Sequence, residues 1–260
     1  MKQNRRQFLK KTAGTIAGAT GLGMAGCLGG GGGDGDGGDG GVSEIRVPGL
    51  YDLSGATSDV GKPTANGSRD AIKYINDNDL LDATINHPWT DYQYEVPQAK
   101  QQYDEWTTES NPPAIIGWGT GDTEALAPQV AQDKIVYVSA SYSAHLHSSE
   151  TPYNFFGNLD YTSQARVHLK WVAENDPDAK VGFIFSNNPF GKAPVEGGRQ
   201  YAQSLGLELG PNINLPLTAN SATSQLQRAK QENIDYLIHQ NTAAPMQVLL
   251  KDKQDVYPEL

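Results

Sequence analysis

Short, nearly pure apolar runs alternate with longer amphipathic stretches from about residue 45 to residue 257, and this alternation limits the possible folds more than any other feature. The runs fall at residues 45–51, 114–116, 135–138, 180–185 and 235–239, with weaker ones near 83–89 and 212–215. Runs this short, without polar alternation, read as parallel strands buried on both faces. Residues 62–76, 97–109, 124–132, 162–174, 191–205, 223–231 and 244–251 read as helices. Asp160 or Thr162 is placed to cap the helix opening near Ser163, and Asp122 or Thr123 the one opening near Glu124. Such a chain is α/β, folded into open, doubly wound sheets. The segment PYNFFGNLDY (152–161) interrupts the pattern with aromatics and turn formers. It reads as the crossing from a first lobe to a second. No short fixed-period repeat is visible.

The N-terminus follows a different logic. Five cations (Lys2, Arg5, Arg6, Lys10, Lys11) precede an uncharged stretch at 12–33. A basic region, a mild apolar region and small residues are the layout of an export signal. The apolar part is too short and too weak for a membrane span, which needs roughly 20 apolar residues. NRRQFLKK (4–11) resembles a twin-arginine export motif carried by Arg5 and Arg6. Met24-Ala25-Gly26-Cys27 resembles a lipoprotein cleavage box, with Met where Leu is usual. Cys27 is the sole cysteine, so no intramolecular disulfide can form, and its position suits lipid attachment. Residues 28–41 are almost all Gly, with Asp34, Asp36 and Asp39, a composition that reads as a hydrated, flexible spacer. The expected division is a signal at 1–27, a linker at 28–43, a first lobe at 44–158 and a partial second lobe at 159–260.

Charge narrows the partners. The chain carries 20 Lys and Arg against 30 Asp and Glu, and the five signal cations leave 15 against 30 in the remainder, a net of −15. Phosphate contacts need a basic face, so this balance argues against nucleic acid as a partner. An acidic exported surface also suits high salt. Together with the signal, the lipid box and the Gly/Asp linker, it resembles a secreted protein of a halophilic archaeon.

Over residues 45–257 the chain resembles the type I periplasmic solute-binding proteins, in their branched-chain amino acid and amide branch. LYDLSGATSDVG (50–61), followed by Gly67, Ala71, Ile75 and Asn76, resembles that family's first strand and Ser-Gly loop. DYQY (91–94) resembles its acid–aromatic turn. IIGWGTGD (115–122) and VSASYS (138–143) resemble its loops after strands three and four. Residues 153–164 resemble its hinge crossing, and KVGFIFSNNPFG (180–191) the opening of its second lobe.

The resemblance implies a binding protein without a cofactor, not an enzyme. Such a protein captures a small solute, an amino acid or an amide such as urea, and delivers it to an ABC permease from a lipid anchor. The same fold also serves as a ligand-sensing ectodomain, the alternative reading. In open α/β sheets ligands sit beyond the carboxyl ends of strands, and the loops there are rich in Gly and hydroxyls, each leading into a helix whose positive end suits a carboxylate. By position, Thr120 and Gly121 match one carboxylate-holding loop of the family, and Ser141, Tyr142 and Ser143 the other. Ser54, Trp118, Phe190 and Asn241 complete the candidate ligand set. Asp122 either caps its helix or faces the ligand, and Trp118 either walls the pocket or packs the lobe. His145, His147 and Glu150 are a scattered surface group before they are a metal site. Ser139, Ser141 and Ser143 lack the elbow and partners of a catalytic nucleophile. The family's further second-lobe strand, with an acid for the ligand's ammonium, and its return to the first lobe would fall after residue 260. The sequence therefore reads as truncated or partial.

Overall fold

The computed structural model describes residues 43–260. The signal with Arg5, Arg6 and Cys27, and the linker up to residue 42, lie outside the described residues.

Two parallel sheets organise the chain, as expected of an α/β doubly wound fold. The first has five strands: β2 (Gly49–Tyr51), β4 (Trp89–Asp91), β5 (Ala114–Ile116), β6 (Val136–Val138) and β7 (Asn154–Phe155), in spatial order β4-β2-β5-β6-β7. Helices α1 (Ser58–Asp77), α2 (Val96–Ser110) and α3 (Thr120–Asp133) connect them. The second has β8 (Lys180–Phe185), β9 (Glu208–Asn214) and β10 (Tyr236–Gln240), in the order β10-β8-β9. Its helices are α4 (Tyr161–Asn175), α5 (Pro189–Lys192), α6 (Val195–Ser204), α7 (Thr223–Gln231) and α8 (Ala243–Val256). In each sheet the first strand lies between the second and third. Strand order therefore reverses at β2 in one lobe and at β8 in the other, which creates a topological switch point in each.

Two further strands, β1 (Glu44–Arg46) and β3 (Thr84–Asn86), pair with each other. Residue 44 faces 84 and residue 49 faces 89, so the register is unchanged between this pair and β2/β4. It is one ladder, notched where Pro48 faces Pro88, because neither residue has an N–H to donate. The bonds flanking the notch survive: Val47 N donates to Asn86 O at 2.8 Å and Gly49 N to Pro88 O at 2.9 Å. The single runs expected at 45–51 and 83–89 are each divided by this notch.

The cores follow the strand pattern. In β8, Val181, Phe183 and Phe185 pack with Leu169, Val172 and Ala202, while Ile184 on the opposite face packs with Ile213, Leu226 and Leu249. A sheet covered on both faces gives the continuous apolar run seen in the sequence. In the first lobe Leu50, Ile115 and Tyr137 pack with Tyr103, Trp106 and Leu126.

Helix starts depart most from expectation. α3 begins at Thr120, four residues earlier than the periodicity predicts, because Asp122 at its third position accepts from the Gly119 N–H at 3.2 Å. α1 begins at Ser58 rather than 62. The helix expected at 191–205 is two helices, separated at Ala193-Pro194. Of the two cap candidates at α4, Asp160 is the cap, its side chain accepting from Ser163 N at 2.9 Å. The segment 152–161 does more than cross between lobes. It contributes β7, which adds the fifth strand beside β6.

Candidate functional site

A cavity of about 100 Å³ lies between the lobes, lined by Thr57, Val60, Tyr94, Trp118, Gly119, Thr120, Ala140, Tyr161, Phe190 and Thr242. The loops after β2 and β5 supply Thr57, Trp118 and Gly119; helix α5, which follows β8, supplies Phe190, and the loop after β10 supplies Thr242. The cavity therefore sits against both switch points at once, where open α/β sheets hold ligands.

A hydrogen-bonded chain sets the first-lobe wall. Asp52 is fully buried. It accepts from Gly55 N at 2.5 Å, Thr57 N at 2.7 Å and Thr57 Oγ1 at 2.7 Å. Thr57 Oγ1 in turn accepts from Trp118 Nε1 at 2.8 Å. The indole is thereby pinned by its only polar atom, leaving an apolar surface for the cavity. Trp118 both walls the cavity and belongs to the first-lobe core.

The floor is built around Gly119. A Cβ there would overlap Asp122 Oδ1 and the Tyr94 ring, so only glycine lets the α3 terminus approach these groups. Asp122 is a capping residue, not a ligand-facing one. It is buried and accepts from Tyr92 OH at 2.8 Å as well as from Gly119 N. Burial pushes its pKa up to about 7, against the lowering effect of those two donors. Tyr94 reaches the cavity because Gln93 and Tyr94 both take left-handed backbone, with φ 57° and 62°. Ser141 Oγ donates to Thr120 Oγ1 at 2.9 Å and orients it. Tyr161, at the start of α4, joins the lobes: its N–H donates to Tyr142 O at 2.8 Å and its OH to Ala140 O at 3.2 Å. Burial raises the Tyr161 pKa to about 12, so its hydroxyl stays protonated. Across the cavity Thr242 Oγ1 is buried and has no partner.

Of the residues singled out in the sequence, Trp118, Thr120 and Phe190 line the cavity. Gly121 sits beside it, facing Pro189 of the other lobe. Ser141 and Tyr142 stand behind the lining, on Thr120 and Tyr161 respectively. Three are engaged elsewhere. Ser54 donates to Asp91 at 2.6 Å, Ser143 to Glu124 at 2.5 Å, and the Asn241 amide to Leu215 O at 2.8 Å. Thr57, Val60, Tyr94 and Ala140 were not singled out as ligand residues. Their loops were recognisable, but the side chain that turns inward was not. Among the described residues, no three His, Cys, Asp or Glu side chains are grouped to hold a metal.

A family model described as periplasmic binding protein matches residues 44–256. The chain belongs to this family. No curated protein sequence matches it. Among solved structures, this periplasmic binding protein is similar to a branched chain amino acid ABC transporter from Thermus thermophilus with bound valine. The two share 27% identity and a TM-score of 0.80, covering 83% of this chain and 57% of that one. It is similar also to an ABC transporter substrate binding protein from Aeropyrum pernix, at 33% identity and TM-score 0.74, covering 83% and 58%. A solute binding protein from Rhodopseudomonas palustris, in complex with 3,4-dihydroxy benzoic acid, shares the fold at 19% identity and TM-score 0.70, covering 82% and 58%. The chain thus spans a little over half the length of these structures.

Proposed function

We propose that the chain is the solute-capturing part of an extracytoplasmic receptor for an ABC importer, and that its ligand is a small amino acid of branched-chain type or a small amide. The observation that carries this reading is the cavity at the two facing switch points, where hydroxyls and the α3 N-terminus lie among apolar side chains. Thr120, oriented by Ser141, and the first N–H groups of α3 supply donors for a carboxylate or a carbonyl. Val60, Trp118, Ala140 and Phe190 suit an aliphatic body. The valine held by the Thermus structure supports the same ligand class. The reading of the site as one that binds follows the family of periplasmic binding proteins to which the chain belongs. We propose further that twin-arginine export through Arg5 and Arg6, and a lipid on Cys27, place it on the outer face of the membrane.

Thermal melting with leucine, isoleucine, valine, urea and acetamide tests the ligand class. A ligand present at about a hundredfold its Kd adds about 2.7 kcal/mol. For a domain of this size that raises Tm by roughly 5–10 °C. A panel that leaves Tm unmoved overturns the assignment.

A further inference from the structure

Helix α8 opens without a cap of its own. Its N-cap residue, Thr242, makes no side-chain capping bond, and the Thr242 hydroxyl lies at the cavity without a partner. The first-turn N–H groups of a helix need acceptors. One of them, the Ala244 N–H, donates to Asp59 Oδ2 at 2.7 Å, and Asp59 is 185 residues away in the first turn of α1, on the other lobe. A carboxylate is well suited to that end of a helix, both as an acceptor and against the helix dipole. The two lobes are thus bridged by one helix start capping another. A second contact between the lobes is that of Gly121 of α3 with Pro189 of α5.

We propose that Asp59 is the closing latch of the cleft: its carboxylate supplies, from the other lobe, the N-cap that α8 lacks. Closing caps the helix, and opening strips it. The same division of labour leaves Thr242 Oγ1 free to meet the solute instead of turning back onto its own helix, a consequence that rests on the capture reading above. Asp59 is exposed, which screens the contact. Its removal should lower the closed-to-open ratio about three- to tenfold, the lower part of the range for losing a cap.

The test reads closure without solute. In the full chain carrying Cys27→Ser, spin labels at Lys100→Cys on α2 and Gln227→Cys on α7, both exposed positions, report the distance between lobes. Asp59→Ala should move the distribution toward longer distances by that factor. Asp59→Asn, which keeps an acceptor but loses the charge, should fall between it and the parent. Ala244→Pro removes the donor instead, at a helical position where proline is tolerated. It should match Asp59→Ala, and the double variant should open no further than either single one. Unchanged distances in both single variants, or effects that simply add, overturn the latch. Circular dichroism identifies a variant that fails to fold, and the other partner's variant then carries the test. Solute added as a probe separates the two ideas. If neither valine nor any of leucine, isoleucine, urea and acetamide closes any of the proteins while the variants still differ, the solute assignment falls and the latch stands.

Discussion

Asp122 shows how one side chain can hold a site together at a cost in stability. It fixes the start of α3 through Gly119 and anchors Tyr92, yet it lies wholly buried, with its pKa pushed up to about 7. An acid whose folded pKa is raised binds more protons folded than unfolded, so stability falls as pH rises from about 4 to about 7. The span of roughly three units sets an upper limit of about 4 kcal/mol. His239 opposes it: burial lowers its pKa to about 4, so its contribution rises with pH over about 4 to 6.5. Raw melting curves mix the two. The difference in Tm between Asp122→Asn and the parent isolates Asp122, and should shift in the variant's favour by several degrees between pH 5 and pH 8. A difference flat with pH would mean that Asp122 is ionised throughout this range in the folded chain.

Glycines in the connecting helices separate packing from propensity at the scale of elements. Gly61 in α1 and Gly191 in α5 each lie against the carbonyl of the residue just after β2 or β8, Asp52 O and Ser186 O, and a Cβ on either would overlap it. Gly67, also in α1, has open space around its missing Cβ. Gly67→Ala should therefore stabilise by about 1 kcal/mol through helix propensity. Gly61→Ala and Gly191→Ala should each destabilise by about 2 kcal/mol or more. Urea midpoints for the three variants check the signs. The legibility of the fold divides along similar lines. The strands at 114–116 and 180–185 and the helix at 223–231 have the boundaries that hydrophobic pattern alone suggests, because burial on both sheet faces or on one helix face writes itself into residue type. The notch at Pro48 and Pro88 was not legible, since it depends on which residues face each other across strands. Nor was the early start of α3, which a single side-chain bond from Asp122 sets. For the site, strand-end loops can be found from pattern, and they yielded Trp118, Thr120 and Phe190. Tyr94 enters only because two non-glycine residues adopt positive φ, against local preference. Ser54, Ser143 and Asn241 have the right chemistry on the right loops, but their hydrogen bonds are made within their own lobe.

For the whole molecule, the proposed tether and the two lobes make sense only together. A receptor that captures a small solute is useful where the importer can take it over. The 14 residues from 28 to 41 reach at most about 50 Å however they are arranged. A lipid on Cys27 would thus keep the start of the first lobe within that distance of the membrane, whereas an untethered receptor outside the cell would be lost by dilution. One acyl chain holds only marginally and two hold stably, so the anchor is a question of partition as well as chemistry. Cys27→Ser removes the acceptor and leaves the lobes untouched. Most of the exported protein should then move from the membrane fraction to the medium, with its melting temperature unchanged, with or without added solute. Retention of the serine variant on the membrane would show that something other than Cys27 holds it there. The unchanged melting response makes that result a statement about the anchor alone, because it shows the lobes still fold and bind as before.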